Sequence, residues 1–252
     1  MGLYALITVV ICSSGRRFFE FLKSEGADFR GLDPTMIPIY DFPDIWQNLT
    51  YVASFFKIFP AFLVIISVAN EFNFRILRQN IIDGLSKKEW ILSKLLFIAA
   101  LSLASTILIF LTGIIMGSIY AHPDAMGSMF QSLSFLGAYF LDVFVYLVFA
   151  FMLILIIRRG AIVIVGLFMY TFMLEPFLTL FIANFPHFPD KYRVIAPFFP
   201  IKAIHNLIHV PFSRYVFLEI QDYVSVKEVA IVLGWLGIFL WIIFWLLRRK
   251  DL

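Results

Sequence analysis

Long apolar segments, separated by shorter polar ones, set the pattern of this chain. Five of them, residues 51–69, 95–120, 136–157, 161–183 and 229–247, are long enough to cross a membrane, since a crossing helix needs about 20 mostly apolar residues. Strands of a membrane barrel would alternate polar and apolar positions, and residues 147–157 do not alternate. The pattern therefore predicts an all-α integral membrane protein.

A sixth apolar segment, residues 1–12, is too short to cross a membrane by itself. It also lacks the basic n-region that begins a secretory signal. We favour reading it as the outer end of a first span whose beginning is absent from the sequence; the alternative is a short interfacial segment. On the favoured reading, residues 1–252 form a single transmembrane domain of six spans, the first of them short or truncated.

Composition supports a membrane location and excludes several other classes of protein. The chain is 62% hydrophobic and 15% charged, whereas soluble domains are about 25% charged. Its net charge of +3 lacks the strong basic excess of a nucleic-acid binder. The single cysteine, Cys12, excludes an intrachain disulfide and a metal cage built from cysteines.

Positive residues predict the orientation, because Lys and Arg concentrate in the short cytoplasmic loops of membrane proteins. On the six-span plan, the loops of one side carry Arg75, Arg78, Lys87, Lys88, Lys94, Arg158, Arg159, Arg248, Arg249 and Lys250. This side, together with the C-terminus, is predicted to be cytoplasmic. Arg16 and Arg17 then lie on the outer side, against the rule.

The connection between spans two and three, residues 70–94, is predicted to form a helical hairpin. Its first half has apolar residues at helical spacing, namely Phe74, Leu77 and Ile81. Gly84 suits the left-handed conformation that ends a helix, and Ser86 with Glu89 forms a capping box that begins the next helix. From these residues alone, a plain membrane-surface elbow that touches anionic lipid explains the segment equally well.

The same hairpin resembles a motif of ABC-2 type transporter permeases, E-x(3)-R-x(3)-Q-x(4)-G-x-S-(R/K)-x(4–8)-K. The residues that carry the resemblance are Glu71, Arg75, Gln79, Gly84, Ser86, Lys88, Glu89 and Lys94. The six-span plan and the long outer segment before span six, residues 184–228, add to it. In that family the loop docks on an ATP-binding subunit. The resemblance therefore implies a set of coupling residues, which are Glu71, Arg75, Arg78, Gln79, Gly84, Ser86, Lys88 and Glu89.

The resemblance implies that this chain is the permease subunit of an ABC transporter. The transporter would be an exporter in the cytoplasmic (inner) membrane of a bacterium. ATP and magnesium would be held by the ATP-binding partner subunit, and this chain is expected to hold no cofactor and to bind no nucleic acid. A second permease chain, identical or related, would pair with it in the lipid bilayer. Residues 184–228 would form a re-entrant outer gate; from the residues alone, a helix lying on the lipid surface is an equal alternative.

Motifs for other kinds of chemistry are absent from the sequence. It contains no G-x(4)-G-K-[ST] phosphate loop, no H-E-x-x-H and no G-x-S-x-G. His205 and His209 are spaced to share a metal ion, but no adjacent carboxylate or cysteine completes a site, so no catalytic or metal site is predicted. The remaining alternatives are a non-transporting membrane sensor or scaffold subunit, and an intramembrane enzyme with an unrecognised motif.

Three charged residues interrupt the predicted spans: Lys57, Asp142 and Glu175. They lie at similar depths from the predicted outer ends, and a charge inside a membrane is costly. We predict an intramembrane polar cluster in which Lys57 lies between the two carboxylates. The alternative is that Lys57 extends to the outer surface while each acid caps nearby backbone.

Prolines and glycines predict local geometry. Pro60 and Pro176 each remove one backbone hydrogen bond and should kink spans two and five, which the family resemblance makes candidate walls of a pathway. Gly113 and Gly117 form a G-x-x-x-G in span three, for which close packing within the chain is expected. Pro200 is expected to open a short outer helix.

Overall fold

The computed structural model describes residues 2–24, 39–184, 195–211 and 223–249. Within these ranges the chain is helical and contains no strand, which confirms the predicted all-α class. Residues 25–38, Lys250 and two parts of the predicted outer segment, 185–194 and 212–222, lie outside the described residues.

The helices of the described ranges differ widely in length. In chain order they are α1 (Gly2–Ser13), α2 (Gly15–Ser24), α3 (Ile45–Asn73), α4 (Ile76–Ile82), α5 (Lys87–Tyr120), α6 (Ser134–Ile157), α7 (Gly160–Met169 and Glu175–Asn184), α8 (Pro200–His205) and α9 (Val226–Arg249). A 3-10 turn, Phe55–Lys57, lies within α3, and a π-helical turn, Tyr170–Leu174, joins the two parts of α7. Short 3-10 helices also form at Pro123–Ser128 and Ala196–Phe198.

Helices α3, α5, α6, α7 and α9 are each long and apolar enough to cross a membrane, which confirms the five long spans. Each begins before its predicted span, and the added residues of α5 include the polar first turn Lys87, Lys88 and Glu89. Helix α1 is apolar but has only 12 residues. The count of six spans, and the side of the membrane on which each loop lies, stay predictions.

The chain divides into two compact units. The first comprises Met1–Phe56, Leu103–Phe140 and Ile208–Val224, and the second comprises Lys57–Ser102, Leu141–Leu207 and Ser225–Leu252. Each unit is described by itself.

In the first unit, α1 packs against the start of α3. It buries Tyr4, Thr8 and Cys12, which recur every four residues and therefore share one face. The hydroxyl of Tyr4 lies 3.0 Å from that of Tyr139. A polar stripe thus faces the protein, as is common for helices that bury polar groups inside a membrane bundle.

Aromatic rings fill the space beside the predicted G-x-x-x-G. Trp46 is fully buried, and its indole N–H donates a hydrogen bond to the carbonyl of Met129 at 2.8 Å. A Cβ atom added to Gly113 would lie 2.6 Å from the Trp46 ring, and one added to Gly117 would lie 2.3 Å from the Phe42 ring. The two glycines therefore serve packing within the chain, as expected.

In the second unit, α6 is the central helix. Its side chains from Val143 to Leu155 are mostly buried. The Phe149 ring packs against Tyr170 of the π-helical turn and against Phe239 of α9, with ring centroids 5.7 and 5.1 Å apart. Most side chains of α7 and α9 are instead outside the core, and an apolar helix with an exposed surface is typical of contact with lipid.

Both membrane prolines follow a local departure from α-helical geometry. The ring nitrogen of Pro60 cannot bond to the carbonyl four residues earlier, and the 3-10 turn Phe55–Lys57 contains that carbonyl. In the same way, the carbonyl four residues before Pro176 lies in the π-helical turn Tyr170–Leu174. The predicted disruption therefore occurs one turn before each proline.

Candidate functional site

The connection between α3 and α5 contains two sharp breaks around a two-turn helix. Helix α3 ends at Asn73, and Arg75 adopts a left-handed conformation with φ of 57° before α4 begins. After α4, Gly84 has φ of 104°, and α5 begins at Lys87. The second break was predicted from Gly84, whereas the first, at Arg75, was not.

The predicted capping box is present in full at the start of α5. The backbone N–H of Ser86 donates to Oε2 of Glu89 at 2.8 Å, and the N–H of Glu89 donates to Oγ of Ser86 at 3.2 Å. Two backbone donors of the first helical turn are thereby satisfied. No heavy atom lies within 4 Å of a Cβ built at Gly84, so glycine is favoured there by its backbone conformation and not by lack of space.

Glu71 joins the end of α3 to the first turns of α5. Its Oε2 accepts a hydrogen bond from the indole N–H of Trp90 at 2.7 Å, and its Oε1 forms an ion pair with Lys94. Trp90 is 2% exposed and packs against Phe151 of α6, with ring centroids 5.9 Å apart. Glu71 is therefore held within the second unit and links the two helices that flank the hairpin.

A second loop meets the base of this hairpin. Arg158, between α6 and α7, adopts φ of 57°, and its guanidinium lies 5.5 Å from the centre of the Phe72 ring. A Cβ atom at Gly160 would lie 3.0 Å from the Cβ of Ala69. In the sequence, Arg158 indicates only the orientation of the chain, because no local pattern predicts a contact with Phe72.

The other predicted coupling residues form an exposed surface. Arg75, Arg78, Gln79, Gly84, Ser86, Lys88 and Glu89 are all exposed, whereas Glu71 is half-buried. Exposed apolar side chains lie among them, including Phe74 at 73% and Ile82 at 76%. Leu77 is buried, as expected of a residue on the apolar face of the hairpin. Phe74 does not share that face, because it lies in the turn after α3 and not on α4. We call this exposed set, Phe74 to Glu89, the hairpin surface.

The intramembrane charges have separate partners. Nζ of Lys57 lies 2.5 Å from Oδ1 of Asp142, and their side chains are 5% and 1% exposed. Glu175, also 1% exposed, accepts a hydrogen bond through Oε1 from the backbone N–H of Lys202 at 2.6 Å. Lys57 therefore pairs with Asp142 and does not lie between the two carboxylates as predicted. Glu175 instead caps the first turn of α8.

Tyr146 connects the ion pair to the π-helical turn. The Lys57 ammonium lies 5.3 Å from the centre of the Tyr146 ring, and the Tyr146 hydroxyl lies 3.0 Å from that of Thr171. A π-turn is a common feature of functional sites. Buried polar groups from α3, α6 and α7 thus form one network in the second unit.

His205 and His209 lie in and just after helix α8. Helix α8 begins at Pro200, as expected. Burial, with the nearby charges of Lys57 and Lys202, lowers the pKa of His205 to about 3, so this ring is neutral near pH 7. His209 belongs to the other unit, and no group of three His, Cys, Asp or Glu side chains in the described ranges is arranged to hold a metal.

Changing Glu175 should loosen α8. We expect Glu175→Ala to lower the free energy of unfolding by about 1–3 kcal/mol, because the part-buried N–H of Lys202 loses its acceptor. Hydrogen–deuterium exchange of the peptide that contains Lys202 would detect this as faster exchange. Glu175→Gln keeps an acceptor oxygen and should exchange more slowly than the alanine variant; equal exchange in all three proteins would contradict the capping role.

The chain matches a known protein family over most of its length. A family model described as ABC-2 family transporter protein matches residues 45–249, which is most of the chain. A search of curated proteins finds no match. The matched range includes the hairpin surface, the Lys57–Asp142 pair and the five long spans.

Proposed function

We infer the function from one premise, which is that the chain belongs to the ABC-2 family of transporter proteins. It is a multi-pass membrane permease, and the membrane domains of this family are not themselves ATPases. The proposal for this chain is that it exports a substrate across the cytoplasmic membrane of a bacterium. ATP would be bound with magnesium and hydrolysed on a separate subunit, and a second permease chain would complete the pathway.

The hairpin surface is the observation that supports this proposal best. It combines exposed basic side chains, such as Arg75 and Arg78, with the exposed apolar side chains of Phe74 and Ile82. Mixed surfaces of this kind suit binding to another protein, because apolar anchors supply affinity and charges supply specificity.

Glu71 provides the mechanical link in the proposed mechanism. Because it holds Trp90 and Lys94 of α5 from the end of α3, a force on the hairpin surface acts on both helices together. Closure of the ATP-binding subunits would then shift α3 and α7, the two helices with proline-linked irregular turns. ATP can favour one arrangement only through a difference in affinity between the two states, so the partner must bind the hairpin differently before and after closure.

The test separates docking from transport by charge reversal on the hairpin. We expect Arg78→Glu to weaken binding of the co-encoded ATP-binding subunit about tenfold, which corresponds to about 1.4 kcal/mol, and to reduce the ATPase activity of the assembled complex. Arg248→Glu is the matched control, since Arg248 is also exposed and basic and lies outside the hairpin. Binding would be measured by surface plasmon resonance with permease reconstituted in nanodiscs.

Each result decides between the proposed function and its rival. Loss of binding in Arg78→Glu alone supports docking through the hairpin surface. Equal binding by both variants and the parent chain overturns it. Binding that persists with no effect of the permease on ATP hydrolysis would favour a non-transporting sensor or scaffold.

A further inference from the structure

Helix α2 divides its polar and apolar residues between two faces, a feature that coupling to ATP hydrolysis does not use. On a helix of 3.6 residues per turn, Arg17, Glu20 and Lys23 share one face, and Phe21 and Lys23 lie on nearly opposite sides. In the structure Arg17, Glu20 and Lys23 are exposed, and Phe21 is exposed at 57%. A short helix with both kinds of side chain exposed is typical of a membrane–water interface.

The polarity of α1 indicates where α2 begins relative to the membrane. α1 buries Tyr4, Thr8 and Cys12 and exposes apolar side chains, with Leu3 at 70% and Leu6 at 62%. A helix packed on a soluble protein does the opposite, so the exposed face of α1 fits lipid chains. Only Ser14 separates α1 from α2, and α2 therefore starts where a lipid-contacting helix ends.

Two tyrosines fix this junction at the end of α5. The Tyr40 hydroxyl donates to the carbonyl of Cys12 at 2.8 Å and accepts from the N–H of Gly15 at 3.0 Å. Its ring stacks on Tyr120, the last residue of α5, with centroids 5.5 Å apart. Tyrosine is enriched at membrane–water interfaces, and α5 is one of the membrane-length helices.

A cavity of about 460 Å³ lies at the same junction, lined by Ser13, Ser14, Arg17, Glu20, Met116 and Tyr120. Its lining combines the Arg17 guanidinium with the Glu20 carboxylate, two serines, Met116 and Tyr120. A phosphate is the natural partner of an exposed guanidinium, and a lipid at this level would place its headgroup here.

We propose that α2 lies in the membrane–water interface as a lipid anchor, with the Phe21 face among acyl chains and the face of Arg17 and Lys23 among anionic headgroups. The decapeptide has three basic residues and one acidic residue, so an anionic surface attracts it. The interaction holds the junction between α1 and α2 at one depth. It involves no ATP-binding subunit and stands or falls separately from the proposed transport.

Spin labels on opposite faces of α2 test the proposal. Phe21→Cys and Lys23→Cys would each be labelled with a nitroxide in the full chain, reconstituted into vesicles of equal parts phosphatidylcholine and phosphatidylglycerol. The parent chain, whose Cys12 is buried, is the labelling blank. We expect the ratio of oxygen to nickel-chelate collisions to be several-fold higher at position 21 than at position 23.

The lipid composition supplies the second arm. Vesicles of phosphatidylcholine alone should reduce the collision ratio at position 21, and Arg17→Glu should reduce it in the mixed vesicles. Equal ratios at the two positions would overturn the interfacial placement. A difference between the positions that is the same in both vesicle types would overturn the preference for anionic lipid.

Discussion

Replacing Asp142 by alanine is expected to lower the free energy of unfolding by about 3–5 kcal/mol, because removing one partner of a buried ion pair leaves the other charge unpaired. The Lys57 ammonium has Asp142 at 2.5 Å and little access to solvent. The nearby Tyr146 ring offers a weaker electrostatic contact. Unfolding of the purified chain in detergent micelles, followed by circular dichroism against denaturant, would measure the loss.

A paired replacement is the matched control for this prediction. Lys57→Met combined with Asp142→Leu removes both charges, and should recover most of the stability lost in the single variant, since apolar residues of similar size replace the pair without leaving a charge. Lys227→Met removes an exposed positive charge and should change little. A double variant as unstable as Asp142→Ala would contradict mutual pairing and indicate separate roles for the two charges.

The partner of Lys57 also shows where sequence analysis reaches its limit. Depth along a helix follows from counting residues, so three intramembrane charges at similar depth could be recognised. The choice between Asp142 and Glu175 depends on how the helices are placed beside one another, which the sequence pattern does not contain. Glu175 instead bonds to the backbone of Lys202, and a backbone donor is the same at every position except proline.

The long spans were predictable because membrane insertion depends on local composition summed over about 20 residues. The start of α5 was predictable for a similar reason, since Ser86 and Glu89 are three residues apart and interact within one helical turn. The left-handed residues Arg75 and Arg158 were not predictable, because arginine has no intrinsic preference for positive φ. Arg158 has its guanidinium over the ring of Phe72, a contact between residues far apart in the chain.

The hairpin contains both features that the sequence predicts and contacts that it does not. Its turn and its capping box follow from residues close in sequence. The two contacts of Glu71, with Trp90 and Lys94, join residues about 20 positions apart, and only the folded chain identifies them. The family motif predicts that Glu71 is a coupling residue, and the structure shows that its one carboxylate contacts both Trp90 and Lys94 of α5.

Methyl groups added to the G-x-x-x-G of α5 are expected to have the second large effect. We expect Gly113→Ala and Gly117→Ala each to destabilise the chain by about 1–3 kcal/mol, the usual range for overpacking a well-packed core. The new Cβ atoms would lie 2.6 Å from the Trp46 ring and 2.3 Å from the Phe42 ring. Trp46 has no free space to move into, because its ring is also stacked on Phe110 and its N–H is bonded to Met129.

The two effects should not add fully in the double variant. The rings of Phe42 and Trp46 lie 5.8 Å apart, so a shift of one ring that accommodates the first methyl group changes the space available to the other ring. Neighbouring sites of this kind couple.

Gly137→Ala in α6 is the matched control, since a Cβ there has nothing within 4 Å and alanine favours the helix by about 1 kcal/mol. Thermal unfolding of the parent chain, the two single variants, the double variant and Gly137→Ala in the same detergent would rank them. If Gly113→Ala unfolds at the same temperature as Gly137→Ala, the aromatic rings can move away, and close packing at this glycine does not contribute to the stability of the first unit.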